Sequence, residues 1–329
     1  MGDASGLTPL AATRAPLAGL LIAAAAAILF SFKAILAKLM YLAGADAVVV
    51  MSLRMLFAGP VFIAMAGFYA WRARAVASAV VPLTPSERWQ VLLLGFLGYY
   101  LSSLLDFVGL QFVSASLERL ILFLTPTLVA LIGWFAYAKP ILKAQWQGLV
   151  LSYLGVAFVF VEQLHFNGRH VALGSALIFM AALSYAGYLS LSGALVKKLG
   201  SARLVAYAMS VSSACMLIHF LAFESIETLA QSSRILQLSV LNAIFCTVLP
   251  VFLTMEAIRR IGAAQASQLS MLGPVSLLFL GYWLLQEPIT LLQLIGTAVV
   301  LAGVYWANRS AANAPVAKSK SPGPDLPRN

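Results

Sequence analysis

The sequence predicts an all-α integral membrane protein of ten transmembrane helices, arranged as two inverted repeats of five helices each. Hydrophobic residues make up 62% of the 329 residues and charged residues only 10%, whereas a soluble domain has about 25% charged residues. Apolar stretches of about 20 residues, enough at a rise of about 1.5 Å per residue to cross a bilayer, recur along the whole chain. A stretch of the first half is also similar in sequence to a stretch of the second half, which indicates a duplicated unit.

The duplicated stretch covers residues 112–156 and returns without a gap 148 positions later. Ten of its 45 positions are identical, and half of these identities are Pro or Gly, which act on the backbone. The first-copy members are Ala115, Leu124, Pro126, Gly133, Pro140, Ile141, Gln145, Gly148, Gly155 and Val156. Lys139 of the first copy is replaced by Glu287 in the second. Because cations favour the cytoplasmic ends of helices, this exchange predicts that the copies face opposite sides, as in many secondary transporters.

The elements follow one another with short connections. Residues 1–15 are polar and are predicted to be a cytoplasmic tail. The apolar run 16–43 is too long for a signal peptide and carries Lys33 and Lys38 late, so we expect it to be the first spanning helix. The other predicted spans are 47–71, 89–113, 115–138, 144–163, 172–195, 204–223, 235–257, 264–285 and 291–307. They give a first repeat at 16–163, a second at 172–307, and a disordered cytoplasmic tail at 308–329, which is rich in Ser, Pro, Ala and Lys.

The basic residues predict the orientation. With the N-terminus inside, the cytoplasmic segments hold fifteen Lys and Arg residues and the outer loops hold two, Arg169 and Arg234. Such an asymmetry is typical of membrane proteins and accounts for most of the net charge of +10 without a nucleic-acid partner. We therefore expect a multi-pass plasma-membrane protein, in a bacterium one of the inner membrane, with both termini in the cytoplasm.

Other function classes find little support. The two cysteines, Cys215 and Cys246, lie in apolar runs and predict neither a disulfide nor a metal site. The three histidines lack metal-site spacing and are expected to be solvated. Walker A and HExxH patterns are absent from the sequence. We therefore predict no cofactor, no metal, no catalytic residue and no enzymatic activity.

Five ionisable residues are predicted within the outer half of the membrane, all in the first repeat: Lys33, Arg54, Asp106, Glu118 and Arg119. Because charges at this depth are costly, they either form ion pairs that assemble the repeat or handle the substrate and protons directly. We expect Asp106 to pair with Arg119, and Glu118 with Lys33 or Arg54. The five sum to +1, and Lys33 is the cation expected to remain unpaired and to contact an anionic group such as a carboxylate. Asp106 and Glu118 are the candidates for proton coupling.

Polar stripes with helical spacing accompany these charges. One runs from Tyr99 through Ser103 to Asp106, and another from Tyr185 through Tyr188 to Ser192. They indicate either a substrate pathway or hydrogen bonds between helices. The candidate substrate-binding residues are Lys33, Tyr99, Ser103, Asp106, Glu118, Arg119, Tyr185, Tyr188, Asn242 and Gln268. Pro126 and Pro274 occupy equivalent repeat positions, and we expect these paired helix interruptions to lie near the transport site.

The halves resemble the EamA repeats of the drug/metabolite transporter superfamily over about residues 17–307. The resemblance rests on the proline and glycine blocks, the run from Leu29 to Lys38, Arg54, and the turn Gln286-Glu287-Pro288. The first half reads Ala138-Lys139-Pro140 at that turn and lacks the acid. The resemblance implies a secondary transporter that exports a small polar or amphipathic metabolite, such as an amino-acid-like compound, by alternating access. A flippase or transporter for an amphipathic lipid-linked substrate is the alternative.

Overall fold

The computed structural model describes residues 10–75, 83–138, 140–167 and 170–312. These residues form ten helical segments and contain no strand. The segments are α1 (Leu10–Leu42), α2 (Ala47–Ala75), α3 (Pro85–Leu110), α4 (Ala115–Tyr137), α5 (Lys143–Asn167), α6 (His170–Leu199), α7 (Ser201–Phe223), α8 (Ser233–Gly262), α9 (Gln265–Leu285) and α10 (Leu291–Ala312). A short 3₁₀ turn, Ile226–Leu229, connects α7 to α8.

Nine of the described helices, α1 to α9, are long and apolar enough to cross a membrane. The remaining helix, α10, has a shorter apolar part, Leu291–Ala307. The predicted helical membrane fold is therefore confirmed, whereas the count of ten spans stays a prediction. Helix α1 begins at Leu10, within the predicted tail, and α10 continues to Ala312. The rest of the two predicted tails, residues 1–9 and 313–329, lies outside the described residues.

The repeated glycines of the sequence pack against each other between α5 and α10. A Cβ atom on Gly148 would lie 2.5 Å from the carbonyl oxygen of Gly303, and one on Gly296 would lie 2.8 Å from the carbonyl oxygen of Gly155. Only residues without a side chain allow two helix backbones to approach this closely. Because Gly148 and Gly155 correspond to Gly296 and Gly303, the contact maps onto itself when the two repeats are exchanged.

The other helix contacts follow the same exchange. Helix α1 packs along α8 and α9, and its counterpart α6 packs along α3 and α4. Helices α2 and α7, also counterparts, pack against each other, and a Cβ atom on Gly59 would lie 3.0 Å from Ser213 Oγ. Each repeat thus places its first helix on the third and fourth helices of the other repeat. This reciprocal packing is the arrangement expected of inverted repeats.

Equivalent helices are also interrupted at equivalent places. Helix α3 contains a π-helical turn at Phe96–Leu101, and α8 contains one at Ile244–Val248, 148 positions later. Helix α4 consists of two pieces, Ala115–Leu122 and Thr125–Tyr137, and Pro126 lies at the start of the second. In α9 a new helical piece begins at Leu272, just before Pro274. A π-turn or a break leaves some carbonyl groups without their regular helical hydrogen-bond partners. The helices can therefore bend more easily at these places.

The tryptophans lie near helix ends and face outward. All six have exposed fractions between 39% and 73%: Trp71, Trp89, Trp134, Trp146, Trp283 and Trp306. Tryptophan side chains collect at the two membrane–water interfaces, where the ring is partly in lipid and the N–H group reaches water. Their placement agrees with an integral multi-pass membrane protein.

Candidate functional site

The five charges predicted from the sequence form one cluster between α1, α2, α3 and α4. Lys33, Arg54, Asp106, Glu118 and Arg119 are only 1% to 8% exposed. Two aromatic rings connect them. Lys33 and Arg54 lie over the ring of Phe107, at 5.3 and 4.8 Å from its centroid. Lys33 and Arg119 lie over the ring of Phe30, at 5.9 and 5.4 Å. All four helices belong to the first repeat, so one repeat supplies every charge of the cluster.

Lys33 is the centre of the ion pairs. Its Nζ atom lies 2.5 Å from Oδ2 of Asp106 and 3.5 Å from Oε1 of Glu118. The expectation that Lys33 would remain unpaired is therefore wrong. The long, flexible lysine side chain projects from α1 and reaches carboxylates on both α3 and α4. The predicted pairing of Glu118 with Lys33 is confirmed.

The two arginines of the cluster, Arg54 and Arg119, have no carboxylate partner among the described residues. Arg54 donates a hydrogen bond from Nη2 to Oγ of Ser103, at 3.1 Å, and otherwise packs on Phe107. Within the described part of the chain, no carboxylate oxygen lies within 4.0 Å of a nitrogen of Arg54 or Arg119. The predicted ion pair between Asp106 and Arg119 does not form; Asp106 pairs with Lys33 instead.

Several polar atoms of the cluster are buried without a hydrogen-bond partner among the described residues. They are Nε of Arg54, Oδ1 of Asp106, both carboxylate oxygens of Glu118, and Nε of Arg119. Protein interiors contain few such atoms, because an unsatisfied buried polar group costs about 1 to 3 kcal/mol. Five such atoms are therefore concentrated in this one cluster.

The predicted tyrosine stripes meet beside the π-turn of α3. Tyr99 lies 5.2 Å from Tyr188 and 6.3 Å from Tyr185, measured between ring centroids. The hydroxyl groups of Tyr99 and Tyr188 are 3.4 Å apart. Next to them, Ser184 Oγ donates a hydrogen bond of 2.7 Å to the carbonyl oxygen of Leu97, inside the π-turn. The tyrosines of the two stripes thus form an aromatic contact between α3 and α6.

The candidates from the second repeat are distributed differently. Asn242 on α8 is fully buried, and neither its Oδ1 nor its Nδ2 atom has a partner in the described chain. Cys246, one turn later, belongs to the hydrophobic core that also contains Leu53 and Phe107. Gln268, in contrast, is exposed on α9. Asn242 is therefore the second-repeat candidate whose environment most resembles that of the charge cluster.

Some residues of the site were not predicted from the sequence. Phe30 and Phe107 looked like ordinary apolar positions, and only the packing reveals that cations lie over both rings. His219 was expected to be solvated, but its Nδ1 atom lies 2.6 Å from the hydroxyl oxygen of Tyr100 in a partly buried position.

A cavity of about 200 Å³ lies beside the proline interruption of α4. Its lining includes Pro126, Thr127, Ile141, Gln145 and Ala307.

Glu287, in the turn before α10, reaches the first repeat beside the charge cluster. Its Oε1 atom accepts a hydrogen bond of 3.2 Å from the amide of Ala115, the first residue of α4. Burial raises the pKa of this carboxyl group, and the charge of Lys38 together with the amides of Ala115 and Ser116 opposes the shift. Glu287 therefore connects the last turn of one repeat to the helix that carries Glu118 and Arg119.

The chain is similar in sequence and in structure to known proteins. The sequence profile of the EamA-like transporter family matches residues 17–161 and 172–309. The uncharacterized transporter YcbK of Bacillus subtilis is 32% identical over 279 residues, which are 81% of this chain and 85% of that protein. An uncharacterized transporter of Archaeoglobus fulgidus is 25% identical over 253 residues, 76% of this chain and 88% of that protein. A solved structure described only as the crystal structure of a protein superposes with a TM-score of 0.61 at 17% identity, covering 89% of this chain and 97% of that one.

Proposed function

The chain belongs to the EamA-like transporter family, and from this membership we propose that it is a secondary transporter that exports a small polar or amphipathic metabolite by alternating access. The observation that carries the proposal is the buried cluster of Lys33, Arg54, Asp106, Glu118 and Arg119. Ionisable groups inside a membrane usually line an ion or substrate pathway, because their burial is costly without such a role.

The cluster is more than a set of structural ion pairs. Purely structural pairs are expected to satisfy each other, since an unsatisfied group in low-dielectric surroundings is destabilising. Here Lys33 binds Asp106 and Glu118, yet both oxygens of Glu118 lack a hydrogen bond, and the two arginines have no carboxylate partner in the described residues. A polar solute would supply both the acceptors and the donors that these side chains lack.

The reciprocal architecture supports alternating access. The π-turns of α3 and α8 and the breaks of α4 and α9 occupy equivalent positions, so each repeat has the same adaptable points. If the two repeats exchange their conformations, an opening on one side of the membrane becomes an opening on the other. In the proposed orientation both termini are cytoplasmic, the protein lies in the plasma membrane, in a bacterium the inner one, and the charge cluster lies in the outer half of the bilayer.

Protons are the proposed coupling ion. Asp106 and Glu118 share one lysine, so a proton on either carboxylate leaves the other as the partner of Lys33. Neutralising one carboxylate changes the charge of the cluster by one unit without leaving Lys33 unpaired. A protonophore is expected to abolish export. Export that is insensitive to the protonophore would remove the proton from the proposal.

Metabolite profiling tests the proposed function. Cells that produce the protein are compared with cells that produce Asp106→Asn or Glu227→Gln at equal membrane abundance; Glu227 is exposed and serves as the matched control. We expect one class of compounds to accumulate in the medium with the unmodified protein and with Glu227→Gln, but not with Asp106→Asn. A difference in membrane lipids alone would favour the flippase alternative. Identical profiles in medium and lipids for all three would contradict the proposal.

A further inference from the structure

We propose that Arg119, which lies over the ring of Phe30 and close to Gly273, binds a carboxylate group of the transported compound. This inference rests on the proposed function and specifies the chemistry of its substrate. It assigns the anionic contact to an arginine at the boundary between the repeats, where the sequence had indicated Lys33.

Arg119 is the cation of the cluster with the fewest partners. It is 8% exposed, its Nε atom is buried without an acceptor, and no described carboxylate oxygen lies within 4.0 Å of its guanidinium. Lys33 is neutralised by Asp106 and Glu118, and Arg54 donates to Ser103. Burying a guanidinium without an acceptor is costly, so the position is explained by an anion that binds there during transport.

Phe30 and Gly273 lie close to the guanidinium group of Arg119. The centroid of the Phe30 ring is 5.4 Å from Cζ of Arg119. Gly273 lies close by on α9, where a Cβ atom would be 2.8 Å from Nη2 and 3.2 Å from Nε of Arg119. The same Cβ atom would lie 2.7 Å from Oγ of Ser31, so a side chain at position 273 would require Ser31 or the Arg119 guanidinium to shift. The guanidinium group of arginine is itself planar and presents two parallel N–H groups, which match the two oxygens of a carboxylate.

The location suits a substrate contact. Gly273 lies at the beginning of the second piece of α9, directly before Pro274, so Arg119 of the first repeat touches the helix break of the second. A ligand bound there contacts both repeats and is affected when they move relative to each other. The position equivalent to Arg119 in the second repeat is Ser267, which supplies no matching cation. The site is therefore asymmetric, with one anionic group bound on the side of the first repeat.

A binding experiment on the purified full-length protein tests the inference without requiring transport. Thermal unfolding in detergent micelles is measured with increasing benzoate or benzamide, at constant ionic strength adjusted with chloride. Benzamide has nearly the same shape as benzoate but no charge. We expect benzoate to raise the unfolding temperature in a saturable manner and benzamide to leave it unchanged. In Arg119→Gln the apparent affinity for benzoate should fall about tenfold or more, because a charge-assisted bidentate contact is lost. In Arg234→Gln, which changes an exposed arginine at the start of α8, it should persist.

Two results would overturn the inference: equal shifts with benzoate and benzamide, or a benzoate shift that survives in Arg119→Gln. If Arg119→Gln does not fold, Gly273→Ala is the second test, because it keeps the charge of Arg119 but places a methyl group against the guanidinium and against Oγ of Ser31. We expect Gly273→Ala to lose the benzoate shift, and its retention would contradict the site. Benzoate binding without export of any compound would contradict the proposed function alone, whereas export without a carboxylate effect would contradict only this inference.

Discussion

Lys33 and Asp106 are separated by 73 positions in the sequence, yet Nζ of Lys33 lies 2.5 Å from Oδ2 of Asp106 in the interior of the first repeat. The pair connects α1 to α3, and the contact of Lys33 with Glu118 adds α4. Three helices of one repeat are therefore joined by a single lysine. Buried ion pairs of this kind contribute little net stability compared with apolar packing, but removing one partner leaves an uncompensated charge.

We expect Lys33→Met to destabilise the protein by about 3 to 5 kcal/mol, because Asp106 and Glu118 would then be buried without their shared cation. Chemical unfolding in detergent micelles measures the effect. Lys198→Met is the matched control, since it removes the Lys198–Glu87 ion pair of 2.6 Å at the partly exposed end of α6. An exposed ion pair of this kind contributes little to stability, because solvent screens the two charges. Equal losses in the two variants would contradict a special role of the buried lysine.

Gly155→Ala tests the contact between α5 and α10. A Cβ atom on Gly155 would lie 2.7 Å from the carbonyl oxygen of Gly296, so the helices must separate. Overpacking of this kind costs about 1 to 3 kcal/mol. Gly187 on α6 has no neighbour within 4 Å of such an atom. Gly187→Ala should therefore be neutral or stabilising by up to about 1 kcal/mol, because alanine is the better helix former. Unfolding midpoints of the two variants in the same detergent provide the comparison, and a similar decrease in both would show that α5 and α10 do not need their close approach.

The sequence contained most of the information about the fold. Length and hydropathy located the helices, and the 148-residue offset identified positions that the structure brings together, such as Gly148 and Gly303. The π-turns of α3 and α8 were not anticipated, because no residue type marks them as proline marks a break. They became visible only as hydrogen bonds to the carbonyl five residues earlier, from Ser102 to Leu97 and from Leu249 to Ile244.

The sequence predicted which charged residues belong to the site but not which of them form ion pairs. Depth in the membrane identified five charges, and the structure places all of them in one cluster. Which cation pairs with which acid depends on the rotation of each helix about its axis, and apolar periodicity fixes that rotation poorly in a membrane protein, where both faces are hydrophobic. Lys33 was therefore expected to be unpaired, although Arg54 and Arg119 are the cations of this cluster that have no carboxylate partner in the described residues.

Gln286→Gly should stabilise the protein by about 1 kcal/mol. Gln286 has a left-handed conformation with φ of 57°, and its repeat equivalent Ala138 has φ of 49°. A side chain makes this conformation unfavourable by about 1 to 2 kcal/mol, and the greater freedom of glycine in the unfolded chain offsets a part of the gain. Gln286→Ala is the control, because alanine retains the Cβ atom. Thermal unfolding should rank Gly above both Gln and Ala; equal stability of Gly and Ala would indicate that the turn is not strained.

Glu287→Gln should change how stability depends on pH. Burial raises the pKa of Glu287 above its ordinary value of 4.5, so the folded protein holds this proton more tightly than the unfolded chain. The resulting stabilisation is fully present below pH 4.5 and is lost as the pH rises through the higher pKa of the folded state. The neutral amide does not titrate and can still accept from the amide of Ala115. We therefore expect the stability of the unmodified protein to fall more steeply between pH 4.5 and neutral pH than that of Glu287→Gln.

The measurement is a series of unfolding curves from pH 4 to pH 8 at constant ionic strength. Glu227→Gln, which changes an exposed acid in the 3₁₀ turn between α7 and α8, is the matched control and should follow the unmodified protein. Lys38 limits the size of the effect, because its charge favours the ionised form of Glu287. Lys38→Met should therefore enlarge the pH dependence while leaving its direction unchanged. Parallel curves for the unmodified protein and Glu287→Gln would show that this carboxyl group ionises as easily in the folded protein as in the unfolded chain.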